Sequence, residues 1–259
     1  MRAAGGRLAL ALALLCTCAA CLVLAGCGGV SAPKDRVSPY NWEYLTWETQ
    51  YPSYEDGTYV SKCGIDVSEE QGWIDWPAVA DAGVDFAFVR VGYRGITEGG
   101  LYADDYAEFN LAAAASAGLQ VGAYFYSQAT TEQEAREEAD FVLDLLDGHK
   151  LDLQLAFDLE VGDGNRLTGM TAEACTAVAR TFCERVAAAG YQPCLYGNAG
   201  DLGYYDDALL DAYPLWFAAY TNAAPTTMLP FVYWQFASDG ALPGIDTQVD
   251  LDIQMEKIS

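Results

Sequence analysis

One histidine stands in a chain of 259 residues, and 13 lysines and arginines face 37 aspartates and glutamates. His149 lies between Gly148 and Lys150, in a stretch that reads as a surface loop. Ser-His-Asp and Cys-His catalysis therefore lack a base, and a zinc hydrolase lacks its ligands. The shortage of positive charge, a net −24, excludes nucleic acid as a partner, because such a surface repels phosphates. Cys63, Cys175, Cys183 and Cys194 contain no Cys-x-x-Cys pair, which removes the usual zinc and dithiol readings. The "VGDGN" stretch around Asp163 lacks the full oxygen-ligand pattern of a calcium loop and reads as a turn. No metal and no cofactor are expected.

What is present begins with a targeting segment. Arg2 and Arg7 precede an apolar run from Leu8 to Leu24, and "LAGC" ends at Cys27. That tetrapeptide resembles a bacterial lipobox, so residues 1–27 are expected to be a lipoprotein-type signal, with Cys27 lipidated and the mature protein exported to the outer face of the membrane. An ordinary cleaved signal, giving a secreted protein, and a retained membrane helix are the alternatives. Residues 28–62 read as a tether and an aromatic lead-in, in which Tyr40, Trp42, Tyr44 and Trp47 are expected to pin the segment to a domain surface. In an oxidising compartment one bridge is expected among the four remaining cysteines, with buried free thiols as the alternative. Cys175 and Cys183 share one predicted helix at a separation of about 12 Å, too far to pair with each other.

From residue 63 to 259 the pattern alternates between strand and helix. "CGIDVS", "VDFAFVRVG", "LQVGAYFYS", "LQLAFDLEV" and "YQPCLYG" read as five strands. The helices between them carry inward stripes: Tyr106, Phe109, Asn110, Ala113 and Ala117 in one, and Ala135, Ala139, Val142 and Leu146 in another. Thr131 and Glu134 make a capping box, while Thr171 starts a helix with Cys175, Val178, Phe182 and Val186 inward. "YPLWFAAY", "FVYWQFAS" and "TQVDLDI" then read as strands with little room for helices. The expected fold is α/β, a modified TIM-like barrel of five βα units followed by three strands.

Side-chain parity locates the chemistry. Leu153, Leu155, Phe157 and Leu159 share one strand face, and Gln154, Ala156, Asp158 and Glu160 share the other. The same rule sets Asp66 opposite Ile65 and Val67, and Asp250 and Asp252 opposite Val249, Leu251 and Ile253. Three strands thus bring acids near their C-terminal ends, where function collects in β/α barrels.

The stretches "GIDVSEEQGWIDW", "FAFVRVGYRG", "VGAYFYSQA", "FDLE", "WFAAY", "YWQFAS" and "VDLD", in this order between Cys63 and Gln254, resemble glycoside hydrolase family 25, the bacterial and phage-type lysozymes. The resemblance implies a muramidase that cleaves the β-1,4 bond between N-acetylmuramic acid and N-acetylglucosamine in peptidoglycan glycan strands. It puts the family's catalytic acids on Asp158, Glu160, Asp66 and Asp250. The family usually has Asn two places after the last of these, where this chain has Asp252, which adds a charge near the site. In the implied mechanism Glu160, crowded by Asp158, Asp66 and Asp250, stays protonated as general acid, and Asp158 stays ionised. The two-residue spacing resembles substrate-assisted glycosidases with net retention. Tyr124, Tyr196, Trp216, Tyr220, Trp234 and Gln235 are expected to line the mouth as sugar-binding groups. The chain is read as a monomer. The competing function is a non-catalytic glycan-binding lipoprotein on the same scaffold, which would be expected to lack one of the acids.

Overall fold

The computed structural model describes residues 36–258; the leader and Cys27 lie outside the described residues. A short hairpin, β1 (Leu45–Trp47) and β2 (Pro52–Tyr54), precedes the barrel. Eight strands then close on themselves: β3 (Tyr59–Val67), β4 (Phe86–Arg94), β6 (Gln120–Tyr126), β7 (Leu155–Asp158), β8 (Pro193–Gly197), β9 (Leu215–Ala218), β10 (Tyr233–Gly240) and β11 (Val249–Lys257). Strands β3 to β10 of this set run parallel; β11 is antiparallel to both neighbours and closes the ring onto β3. A further strand, β5 (Leu101–Ala103), folds back on the end of β4.

Helices follow the first five parallel strands: α1 (Trp76–Asp81), α2 (Ala107–Ser116), α3 (Glu132–Leu146), α4 (Ala172–Ala188), and the short pair α5 (Ala199–Leu202) and α6 (Asp207–Ala212). This is the expected modified barrel, five βα units followed by three strands. Where helices are missing, the lead-in takes their place. Tyr40, Trp42, Trp47 and Tyr51 pack on Phe231, Trp234 and Phe236 at the β10 side of the barrel, and Tyr54 packs edge-on against Tyr40 and Trp42. Tyr51 also donates its hydroxyl to the Gly64 carbonyl at 3.1 Å. Tyr44, expected to join them, is exposed. The barrel begins earlier than residue 63, because Tyr59 to Lys62 already pair with Lys257 to Gln254.

Parity divides the core into two. Outward residues such as Ile65, Val89, Phe125, Phe157 and Leu195 meet the helices, and inward ones fill the lower lumen. There Phe88 stacks on Trp216 at 4.5 Å, with the Tyr233 ring edge-on to Phe88 at 4.9 Å. Two glycines make the space for this plug. A Cβ on Gly64 would lie 2.1 Å from the Phe86 ring, and one on Gly122 would lie 2.5 Å from Phe88. The filled floor confines any cavity to the mouth formed by the C-terminal ends of the parallel strands and the start of antiparallel β11, so Asp250 enters it from the N-terminal end of its strand and not from the C-terminal end expected.

Three local expectations are corrected. The Thr131 hydroxyl caps α3 by accepting from Glu134 N, but the Glu134 carboxylate accepts from Thr130 N and Arg166, so the reciprocal half of the box is absent. Helix α2 buries Asn110, Leu111 and Ala114 and turns Phe109 outward, because Asn110 accepts a hydrogen bond from the Trp76 indole at 3.2 Å. The expected disulfide is not formed. All four cysteines are free: Cys63 is half-buried on β3, Cys175 and Cys183 are buried in the helix layer, and Cys194 faces the lumen. Strand β8 thus separates the Cys194 side chain from those on α4.

Candidate active site

The inward face of every barrel strand reaches one cavity of about 280 Å³, lined by Asp66, Arg90, Tyr124, Tyr126, Asp158, Glu160, Tyr196, Trp216, Tyr220, Gln235 and Asp250. Asp66 and Asp250 face each other across the β3–β11 pair. Asp158 ends β7, between Tyr126 on β6 and Tyr196 on β8. Glu160 stands two residues later at the rim, the exposed acid of the set. Its segment is held by two bonds: Asn165 Nδ2 donates to the Glu160 carbonyl at 2.9 Å, and Val161 N donates to Asp201 Oδ1 at 3.0 Å. A larger hollow between α3 and α4 holds Arg136, Arg180 and Arg185, which are already paired with Glu132, Asp206 and Asp140.

Gln235 organises one wall. Its Nε2 donates to Asp66 at 2.6 Å, and its Oε1 accepts from the hydroxyls of Tyr196 at 2.7 Å and Tyr220 at 2.9 Å. Below, Trp216 Nε1 donates to Asp252 Oδ1 at 2.7 Å. Of the six aromatic and amide residues expected at the mouth, Tyr124, Tyr196, Trp216, Tyr220 and Gln235 line the cavity. Trp234 does not. It neighbours Gln235 in sequence, so its side chain takes the other face of β10, under Trp42 and Trp47, with Nε1 donating to the Ala219 carbonyl at 2.9 Å.

Electrostatics follow from depth and crowding. Burial pushes the Asp158 carboxyl well above the usual aspartate range, Glu160 and Asp201 push it further, and Arg90 opposes them. Glu160 is also raised, by the protein around its carboxyl and then by Asp201 and Asp250, whereas its hydrogen-bond contact with Asp158 pulls it down. The two carboxyls are in hydrogen-bond contact, and both are raised. Asp66 is raised by burial, Asp250 and Asp252, and Asp250 is pushed up to about 6 by burial. The carboxylates that raise Glu160 are Asp201 and Asp250.

Sequence reasoning missed Arg90, Tyr126 and Asp201. Parity would have found the first two, since Arg90 shares a face with Phe86 and Phe88, and Tyr126 shares one with Tyr124. Asp201 had no signal, because it belongs to the cap of α5, where Asn198 and Asp201 exchange hydrogen bonds.

Comparison with known proteins agrees with this fold. Residues 65–245 match the family model described as Glycosyl hydrolases family 25. The autolytic lysozyme of Clostridium acetobutylicum is 29% identical over 192 residues, covering 73% of this chain and 54% of that protein. The modular autolysin LytC from Streptococcus pneumoniae, solved in complex with a synthetic peptidoglycan ligand, superposes with a TM-score of 0.65 at 25% identity, over 74% of this chain and 46% of that one. A family 25 glycosyl hydrolase from Bacillus anthracis gives a TM-score of 0.65 at 20% identity, over 80% of this chain and 94% of that one. The chain therefore spans about half the length of the lysozyme and of the autolysin it matches.

Proposed function

The chain belongs to glycosyl hydrolases family 25, and from that premise we propose that it is an exported peptidoglycan hydrolase. Its reaction is that of a lysozyme, cleavage of the β-1,4 bond between N-acetylmuramic acid and N-acetylglucosamine. The observation that carries the reading is the convergence of Asp66, Asp158, Glu160 and Asp250 in one cavity at the barrel mouth. No acid of the set is missing, which disfavours a non-catalytic glycan-binding role.

Glu160, at the solvent-facing rim, donates a proton to the leaving glycosidic oxygen, and that bond breaks as positive charge develops at the anomeric carbon. Asp158, ionised beneath it, orients the sugar's 2-acetamido group, whose carbonyl oxygen closes on the anomeric carbon as the leaving-group bond breaks. Water then opens this ring, with Glu160 taking the water's proton back, so that configuration is retained. Asp66 and Asp250 hold sugar hydroxyls. Tyr124, Tyr196 and Tyr220 supply ring surface, with Trp216 as the floor. No cofactor enters this scheme, and one chain supplies every residue. The working location is the outer membrane face, through a lipid on Cys27.

Purified cell walls give the test, by loss of turbidity and identification of the new reducing ends. N-acetylmuramic acid should appear at the new ends. Glu160→Gln and Asp158→Asn should each fold normally and lose about two to four orders of magnitude in rate. Activity of Glu160→Gln within about tenfold of the parent would remove Glu160 from the acid role.

A further inference from the structure

Arg90 is the one cation among the residues lining the cavity. It points inward from β4, and β4 slips its register with β6 directly after it. The guanidinium is clamped from behind: Nε donates to Asp104 Oδ2 at 2.9 Å, Nη2 lies 3.1 Å from Glu69 Oε1, and the group lies 5.0 Å from the centre of the Tyr93 ring. Asp104 is itself buried and fixed, accepting from Glu69 N at 2.9 Å and from Tyr106 N at 3.0 Å. A side chain held at this many points cannot swing to follow a ligand. Its charge stays aimed at the cavity.

Asp158 lines the same cavity from β7. Its Oδ1 is buried with no hydrogen-bond partner among the described residues. Glu160 beside it and Asp201 from α5 both disfavour its ionisation, and Arg90 favours it. The other titratable groups facing it, the phenols of Tyr124, Tyr126, Tyr196 and Tyr205, are raised by burial and stay neutral. We propose that Arg90 is the counter-charge that lets Asp158 be an anion during bond cleavage, a positioning residue held in place by Asp104 and Glu69. The inference rests on the proposed function, since it concerns the ionised Asp158 of that mechanism.

The pH–rate profile of the full chain on solubilised glycan tests it. On the acid side, activity falls when the Asp158–Glu160 pair takes up its second proton. Arg90→Gln should move that limb to higher pH by about one unit or more and lower kcat, with KM little changed. Arg90→Lys, which keeps the charge, should restore most of the shift. Glu69→Gln removes the carboxylate that offsets the guanidinium, so the limb should move the opposite way, to lower pH. A clamp with a purely structural role would cost activity or stability in both variants without moving the limb. An unmoved limb in Arg90→Gln, or a shift in the same direction in both, overturns the proposal. If Arg90→Gln does not fold, Glu69→Gln decides alone: a downward shift supports the idea and any other result overturns it. A parent inactive on glycan strikes down the proposed function together with this inference, whereas an active parent with an unmoved limb strikes down only the inference.

Discussion

At the scale of single residues, the site is a problem in where protons reside. Asp252 is fully buried, bonded to Trp216 through Oδ1, and its Oδ2 has no partner among the described residues except the contact with Asp66. Burial raises its pKa well above the aspartate range, with Asp250 adding to the rise and the hydrogen bonds to Trp216 and Asp66 opposing it. Two carboxylates in contact in a dry site cannot both ionise, so the Asp66–Asp252 pair keeps a proton in the fold. The sign of its effect on stability follows. In the unfolded chain Asp252 ionises near its ordinary value, so stability is highest below that pH and declines as pH rises towards the raised folded value. Asp252→Asn removes the penalty while keeping the shape. The variant should be more stable than the parent near neutral pH by about 1–3 kcal/mol, the usual cost of an unsatisfied buried polar group. The gain should vanish below pH ~3, where the aspartate is protonated in both states. Chemical denaturation at the two pH values reads this, and a variant less stable than the parent near neutrality would show Asp252 to be charged and paired.

At the scale of strands and helices, parity explains both what could be read in advance and what could not. The alternation in residues 153–160 gave the outward Leu155, Phe157 and Leu159 and the inward Ala156 and Asp158. The same rule forbids neighbours on one regular strand from sharing a face, which is why Gln235 reaches the cavity and Trp234 does not. The hairpin β1–β2 was not legible, because three-residue strands show no period and their role depends on the bare outer face of β10. The register slip after Arg90 was equally hidden, as it arises from pairing with β6 rather than from local composition. These assignments separate two kinds of aromatic residue by experiment. Trp234→Ala opens a cavity beneath the lead-in and should cost about 3–5 kcal/mol of stability, with KM for glycan unchanged in the folded fraction. Tyr220, 59% exposed at the mouth, should behave oppositely. Tyr220→Ala should cost about 1 kcal/mol or less, one hydrogen bond's worth, and raise KM. Unfolding curves and steady-state kinetics on the two variants distinguish the roles. A Trp234→Ala protein of parental stability with impaired glycan binding would return Trp234 to the site.

At the scale of the molecule, the barrel's chemistry and its location are separable, and the anchor is where they divide. Every lining residue of the cavity lies from Asp66 onward, whereas the proposed lipid is on Cys27, with the lead-in between them packed on the barrel. Acyl chains contribute about 0.8 kcal/mol per buried CH₂, so a pair of them holds a protein on a membrane and their loss releases it. A net charge of −24 supplies no second attraction, because it is repelled by anionic lipid headgroups. Among the described residues no helix is long and apolar enough to cross a membrane. Cys27→Ser should therefore shift the protein from the membrane to the soluble fraction without an intermediate partition, and leave kcat on solubilised glycan unchanged. If that substitution also blocks removal of the apolar run at Leu8–Leu24, the uncleaved segment would keep the chain on the membrane for a different reason. A chain beginning at Gly28 behind a cleavable export signal separates the two cases, since it lacks both the thiol and the apolar run. Fractionation identical to the parent's in that second chain, with no lipid mass on the parent's Cys27, would sink the anchor while leaving the hydrolase intact.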